Sequence, residues 1–216
     1  MNSSARQFTE GGQPRSFRRQ GILFVVSAPS GAGKSTILNA LRQTPDFIYS
    51  VSCTTRAPRL GEIHGEDYHF LTLADFQRKI AAGEFLEYAQ VHGNFYGTLR
   101  SAVLDQLRAG VDVLIDIDVQ GARAIRSDSN EEILGSIADI FIMPPSLEEL
   151  RHRLIKRGTE TPAQIETRVR NASAEMEVWR DYRYTIISGS IEEDLQKFRA
   201  ILRAERYLTR RMILLP

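Results

Sequence analysis

The chain has 216 residues, 42% hydrophobic and 25% charged, enough for one buried core with inserted subdomains and ordinary for a globular protein. Its formal net charge of +1 offers no broad basic field for nucleic acid or an acidic membrane, and no apolar run reaches membrane-spanning length. The single cysteine, Cys53, excludes an internal disulfide and fits a reducing, cytoplasmic compartment, where it reads as a small buried hydrophobe.

Residues 1–20 are polar, Gly/Pro-punctuated and Arg-rich without an apolar signal region, so a disordered tail is expected. The run ILFVV (22–26) reads as a strand buried on both faces, followed by a helix from about Ser35 to Arg42. Strand-and-turn material is expected from Ile48 to Phe70, and an amphipathic helix over Leu73–Ala82 with Leu73, Phe76 and Ile80 on one face. EFLEYAQV (84–91) and a Gly-flanked turn lead to a helix near Ser101–Ala109. VDVLIDI (111–117) and ADIFIM (138–143) are further buried strands, and YTIIS (184–188) a last short one. Helix starts are marked by Ser146 with Glu149, by Thr161-Pro162 with Gln164, and by Ser190 with Glu193. Strands alternating with helices predict an α/β fold around a mainly parallel sheet.

SAPSGAGKST (27–36) lies between the first buried strand and the first helix, the context a phosphate-binding loop requires. Gly31 and Gly33 let backbone N–H groups turn inward around phosphate oxygens, Lys34 can reach β- and γ-phosphates, and the Ser35 hydroxyl suits Mg²⁺. The pattern G-x-x-x-x-G-K-[ST] has Ala28 in place of its first glycine; because Pro29 follows, Ala28 is expected to stay extended and needs no glycine. Arg greatly outnumbers Lys along the chain, and Arg is the better planar fork for phosphate. Arg56 and Arg59 flank Pro58 in a restrained turn, where two guanidinium groups suit a phosphate monoester and Tyr68 and Tyr96 can add hydroxyl donors. Glu87 reads on its own as a surface strand residue, although a carboxylate can accept two parallel hydrogen bonds. Asp116 and Asp118 end a buried strand, with Asp116 beside the loop where a Mg²⁺ shell needs an acidic group. Arg153 and Arg157 share one helix face, for which a solvated basic face is the ordinary reading. The four histidines, His64, His69, His92 and His152, are expected to be structural or surface residues.

A phosphate-binding loop alone names no substrate. No Asn-Lys-x-Asp guanine-reading segment of a GTPase switch is present. The motifs S-A-P-S-G-A-G-K-S, T-T-R-x-P-R-x-G-E-x-x-G-x-D-Y-x-F, F-L-E-x-A-x-V-x-G-N-x-Y-G, D-I-D-x-Q-G and R-G-T-E-T together resemble guanylate kinase, over about nine-tenths of the chain from Gly21 onward.

The resemblance implies a P-loop kinase core over 21–51 and 101–208, an inserted GMP-binding subdomain over 52–100 and a helical lid near 151–172. It implies ATP and GMP as substrates, with Mg²⁺, and neither nucleic acid nor membrane as partner; monomer and homodimer both stay open. Ala28, Pro29, Ser30, Gly31, Ala32, Gly33, Lys34, Ser35 and Thr36 would hold ATP, and Ser35 and Asp116 the metal. Arg56, Arg59, Tyr68 and Tyr96 would bind the α-phosphate of GMP. Glu87 would read the guanine, with Ser52, Thr98 and Asp118 as further polar contacts. Lys34, Arg56 and the lid arginines Arg153, Arg157 and Arg168 would be the catalytic set. Ser188 would be a further ATP contact, and it is a departure: the family commonly has an Asn there, near the donor's adenine, and a serine offers fewer fixed hydrogen bonds. The alternatives weighed are a phosphopeptide-binding module on the same fold and a kinase of a phosphorylated sugar. Retention of Lys34 and the arginines disfavours the first, and Glu87 with Tyr68 and Tyr96 the second.

Overall fold

The structure, a computed structural model, describes residues 17–42, 47–91, 93–158 and 160–214. In chain order the elements begin β1 (Phe17–Arg19), β2 (Leu23–Ser27), α1 (Lys34–Leu41), β3 (Ile48–Tyr49), β4 (Cys53–Thr54), β5 (His69–Phe70), α2 (Leu73–Ala81), β6 (Phe85–Val91) and β7 (Asn94–Leu99). They continue α3 (Arg100–Arg108), β8 (Val113–Asp116), α4 (Val119–Arg126), α5 (Glu131–Ser136), β9 (Ile137–Met143), α6 (Leu147–Arg157), α7 (Pro162–Met176), β10 (Tyr184–Ile187), α8 (Ile191–Arg206) and β11 (Met212–Leu214).

The apolar run around β2 is central in a five-stranded parallel sheet of order β10-β9-β2-β8-β3. Its residues alternate between two cores, as strand geometry demands. Phe24 and Val26 pack with Ile37, Leu38, Phe198 and Leu202 of α1 and α8. Leu23 and Val25 face Val103, Leu107, Ala122 and Ile125 of α3 and α4. Both faces of the sheet are therefore covered, which is why its strands read as continuous apolar runs.

Between β3 and α3 the chain builds a second, four-stranded sheet of order β5-β4-β7-β6. Its small core holds Cys53, Phe76 and Phe85, with the Phe76 and Phe85 rings stacked at 4.3 Å. Phe76 is buried and Ile80 partly so, but Leu73, expected on the same face, is exposed at the start of α2. Helices α6 and α7 pair through Leu150, Leu154, Ile165 and Ala172. The caps read at Ser146, Thr161 and Ser190 are all formed, the last two as reciprocal capping boxes.

Two expectations are corrected at the chain ends. The tail expected over 1–20 is structured from Phe17, because β1 pairs antiparallel with β11 and Arg19 reaches Asp112 at 2.5 Å; residues 1–16 lie outside the described residues. The domain end placed at 208 falls short, since Arg211 is only 1% exposed. Its guanidinium pairs with buried Glu205 and donates to the carbonyls of Gly135, Ser136 and Ile137. An arginine near a chain end carries no apolar signal, yet here it is fully satisfied inside the protein. Helices α4 and α5 were not read from the sequence.

Candidate active site

The loop after β2 turns through Gly31 (φ 92°) and Gly33 (φ 97°), both in the left-handed region that favours glycine. Gly33 is also the N-cap of α1, so the helix's first N–H groups open onto the loop. Ala28, where the usual pattern has glycine, is buried in the core cluster of β2 and α1, so its methyl is used in packing. Lys34 Nζ donates to the Ile117 carbonyl at 3.2 Å and forms an ion pair with Asp116.

A cleft of about 660 Å³ lies over this loop, lined by Ala28, Pro29, Ser30, Gly31, Gly33, Lys34, Ser35 and Thr36. Asp118, Arg153, Arg157 and Glu175 complete its polar wall. Arg153 is steered by Glu149 (2.8 Å) and donates to the Ser188 hydroxyl (2.9 Å) and the Ala32 carbonyl (3.4 Å). Ser188 is buried and engaged by Arg153, and it does not line the cleft. Arg168 donates to the Ser30 hydroxyl at 2.7 Å, which ties α7 to the loop, and shares a neighbouring cavity of about 620 Å³ with Arg157.

A second cleft, of about 190 Å³, opens between the two sheets. Ser52, Tyr68, Glu87, Tyr96, Asp116, Ile117 and Asp118 line it. Glu87 is not the surface residue that its strand pattern suggests: it is 8% exposed, and Thr98 Oγ1 donates to its Oε1 at 2.7 Å. Burial pushes its carboxyl upward, nearby Asp118 adds to that, and the Thr98 bond opposes it. Asp116 and Asp118, by contrast, are exposed. Asp116 is the last residue of β8 and faces the open cleft, while Asp118 caps α4 through the Gly121 N–H at 2.8 Å. Asp118 lines both clefts.

Arg56 stands at the rim of the second cleft, 5.5 Å over the Tyr68 ring. Arg59 is exposed, and neither arginine lines the cleft proper. Both are organised by Glu62, which sequence reasoning missed. Its two oxygens accept from Arg56 Nη1 (3.0 Å) and Nη2 (2.8 Å), and one also takes the Arg59 N–H (2.7 Å). The Arg56 guanidinium holds the Glu62 carboxyl below its ordinary range, and Glu62 in turn strengthens the hold of Arg56 on its protons. The signal was in the motif itself, a Glu three residues after one arginine and six after the other. Glu175 was also missed. It lies near the end of α7, far from the loop in sequence, and burial raises its carboxyl while the Ser30 N–H opposes that.

For Mg²⁺ the chain offers the Ser35 hydroxyl and Asp116, and no group of three or more His, Cys, Asp or Glu arranged for a metal occurs among the described residues. A hard cation that keeps waters and shares phosphate oxygens needs only such a partial oxygen set, so these residues fit it. Among the described histidines, His64 Nδ1 accepts from the Phe70 N–H at 3.2 Å and none lines either cleft; His92 lies outside the described residues.

Comparison with known proteins gives one answer. A family model described as guanylate kinase matches residues 20–205. A guanylate kinase of Clostridium perfringens (strain SM101 / Type A) is 45% identical over 188 residues, covering 87% of this chain and 85% of the relative. One from Gluconobacter oxydans (strain 621H) is 45% identical over 194 residues, covering 89% and 91%. The crystal structure of guanylate kinase from Anaplasma phagocytophilum matches with a TM-score of 0.71 at 37% identity, covering 92% of this chain and 93% of that one.

Proposed function

The chain belongs to the guanylate kinase family, and from that premise we propose that it moves the γ-phosphoryl group of ATP to GMP by alignment and electrostatics, without a general base. The observation that carries this reading is the meeting of the two clefts at Asp118, with the Lys34–Asp116 pair at the seam. A donor phosphate over the loop and an acceptor phosphate beside Arg56 can then face each other in line.

The nucleophile is an α-phosphate oxygen of GMP. A phosphomonoester with a second pKa of about 6 is mostly ionised at neutral pH, so no side chain need remove a proton. That oxygen bonds to the γ-phosphorus as the bond to the β–γ bridging oxygen breaks, and the electron pair leaves with ADP. Lys34 and the loop N–H groups hold the β- and γ-phosphates, while Arg153, Arg157 and Arg168 from the helix pair stabilise the charge on the transferring group. Ser35 and Asp116 would hold a Mg²⁺ ion arriving with ATP, which would supply neutralisation of phosphate charge. Ser188 acts here by steering Arg153, in place of a contact with adenine. Closure of α6 and α7 over the loop excludes water and limits ATP hydrolysis. On the acceptor side Arg56, Arg59, Tyr68 and Tyr96 take the GMP phosphate, and Glu87 takes guanine N1–H and the 2-amino group with Thr98, Ser52 and Asp118 around it. The buried, unpaired Cys53 supports a reducing, cytoplasmic setting.

The direct test is ADP release with GMP, dGMP, AMP, IMP and ribose phosphates as acceptors. GMP is expected to be the best of these; highest activity on AMP or a sugar phosphate, or none at all, overturns the reading. A narrower test addresses Glu62. Glu62→Gln removes the charge that holds the Arg56 fork, so KM for GMP is expected to rise roughly fivefold with KM for ATP unchanged. Equal changes in both constants would remove Glu62 from the acceptor side.

A further inference from the structure

Gly121 lies in the first turn of α4, buried, with an ordinary helical backbone that any residue can adopt. Intrinsic propensity disfavours glycine at such a position, where alanine would stabilise the helix. Its N–H is already taken by the cap at Asp118. Neither backbone conformation nor capping therefore explains a glycine here. Space does. A Cβ at Gly121 would lie 3.1 Å from Glu87 Oε2 and 3.4 Å from the Cβ and Cδ1 of Ile117. The contacts with Ile117 are ordinary, but the one with the carboxylate is tight.

That carboxylate has little freedom to give way. Its other oxygen is held by Thr98 at 2.7 Å, and the side chain is buried between β6, β7 and α4. A displacement of a few tenths of an ångström either lengthens the Thr98 bond or pushes the carboxylate into the small cleft that Ile117 and Tyr96 also line. We infer that Gly121 is a specificity-determining positioning residue, whose missing side chain seats the Glu87 carboxylate at the depth where both its oxygens can pair with a purine's N1–H and 2-amino group. The inference rests on the reading that Glu87 contacts guanine. Gly121 itself touches no substrate.

The test compares kcat/KM for GMP and IMP, and KM for ATP, in the full chain and in Gly121→Ala, Glu87→Gln and Gln120→Ala. IMP keeps N1–H but lacks the 2-amino group, so the GMP-to-IMP ratio reads the second hydrogen bond. Gly121→Ala is expected to lower that ratio about tenfold, with KM for ATP within twofold and an unfolding midpoint no lower than that of the parent. Gln120→Ala, its exposed neighbour, is expected to leave the ratio unchanged. A ratio that survives in Gly121→Ala but collapses in Glu87→Gln overturns the inference and leaves the guanine reading standing. A ratio unmoved by either variant sinks the guanine reading and the inference with it. Failure of Gly121→Ala to fold, or an equal loss on every substrate, assigns the glycine to packing alone and likewise overturns the proposal.

Discussion

Glu87→Gln is expected to cut kcat/KM for GMP about a thousandfold while KM for ATP stays within a few-fold, because a site built to pair with two donors is left presenting one of its own. The amide keeps the volume and can still accept from Thr98 through its oxygen, so the strand pairing of β6 and β7 need not change. What changes is the face toward the base, where an NH₂ now opposes an N–H. Purines that offer an acceptor at that edge lose less, so preference relaxes toward them. The stability effect has the opposite sign. Burial raises the Glu87 pKa, so the folded chain binds this proton more tightly than the unfolded chain. Its contribution to stability is therefore fully present below the ordinary carboxylate pKa and is lost as the pH rises through the folded value. At neutral pH the buried charge costs stability, and the glutamine variant is expected to melt no lower than the parent. The same raised pKa predicts an acid limb in GMP binding, with affinity intact above it and falling below. A thermal melt with GMP and IMP kinetics over pH checks both halves; unchanged specificity with lowered stability would assign Glu87 to structure.

The parts of this site legible in the sequence are those whose chemistry is local. Gly31, Gly33, Lys34 and Ser35 must be close in sequence to cradle phosphate, and the buried strand before them places the loop at the carboxyl end of the parallel sheet. Even the departure at Ala28 was interpretable from Pro29, although the burial of its methyl in the core was not. Glu87 is the opposite case. Alternation along β6 places a residue on a face but does not say that α4 will cover that face, and α4 itself was not read because its apolar positions Ala122 and Ile125 are few. Without α4, neither the burial of Glu87 nor the need for glycine at 121 has a visible cause. Glu62 was hidden differently, since an acidic residue in a Gly- and Pro-rich turn usually faces water. The terminal packing depends on Arg19 and Arg206 finding Asp112, and on Arg211 reaching the carbonyls of Gly135, Ser136 and Ile137, contacts of long sequence separation that no local pattern reports.

Lys34→Met should have the largest effect on turnover. Methionine keeps most of the aliphatic stem and removes the charge, so the loop's packing is disturbed little. In the proposed mechanism the lost ammonium is the donor to the β- and γ-phosphates, and removing one such preorganised donor from a water-poor site lowers kcat by about 10²–10³-fold. In the present geometry the ammonium is shared between the Ile117 carbonyl and Asp116. The carboxylate of Asp116 faces the open cleft, so water can solvate it when the lysine is gone, and stability should change little. KM for GMP is expected to stay within about threefold, because Glu87 and Tyr68 line the other cleft and the Arg56–Glu62 pair stands at its rim. Lys34→Arg is not expected to rescue, since a planar fork cannot replace a compact ammonium at the base of a tight loop. Steady-state kinetics with both substrates, beside equilibrium binding of GMP, separates the two clefts. A kcat within tenfold of the parent would mean that Lys34 is a structural partner of Asp116, and the transferring charge would then have to rest on the arginines of α6 and α7 alone.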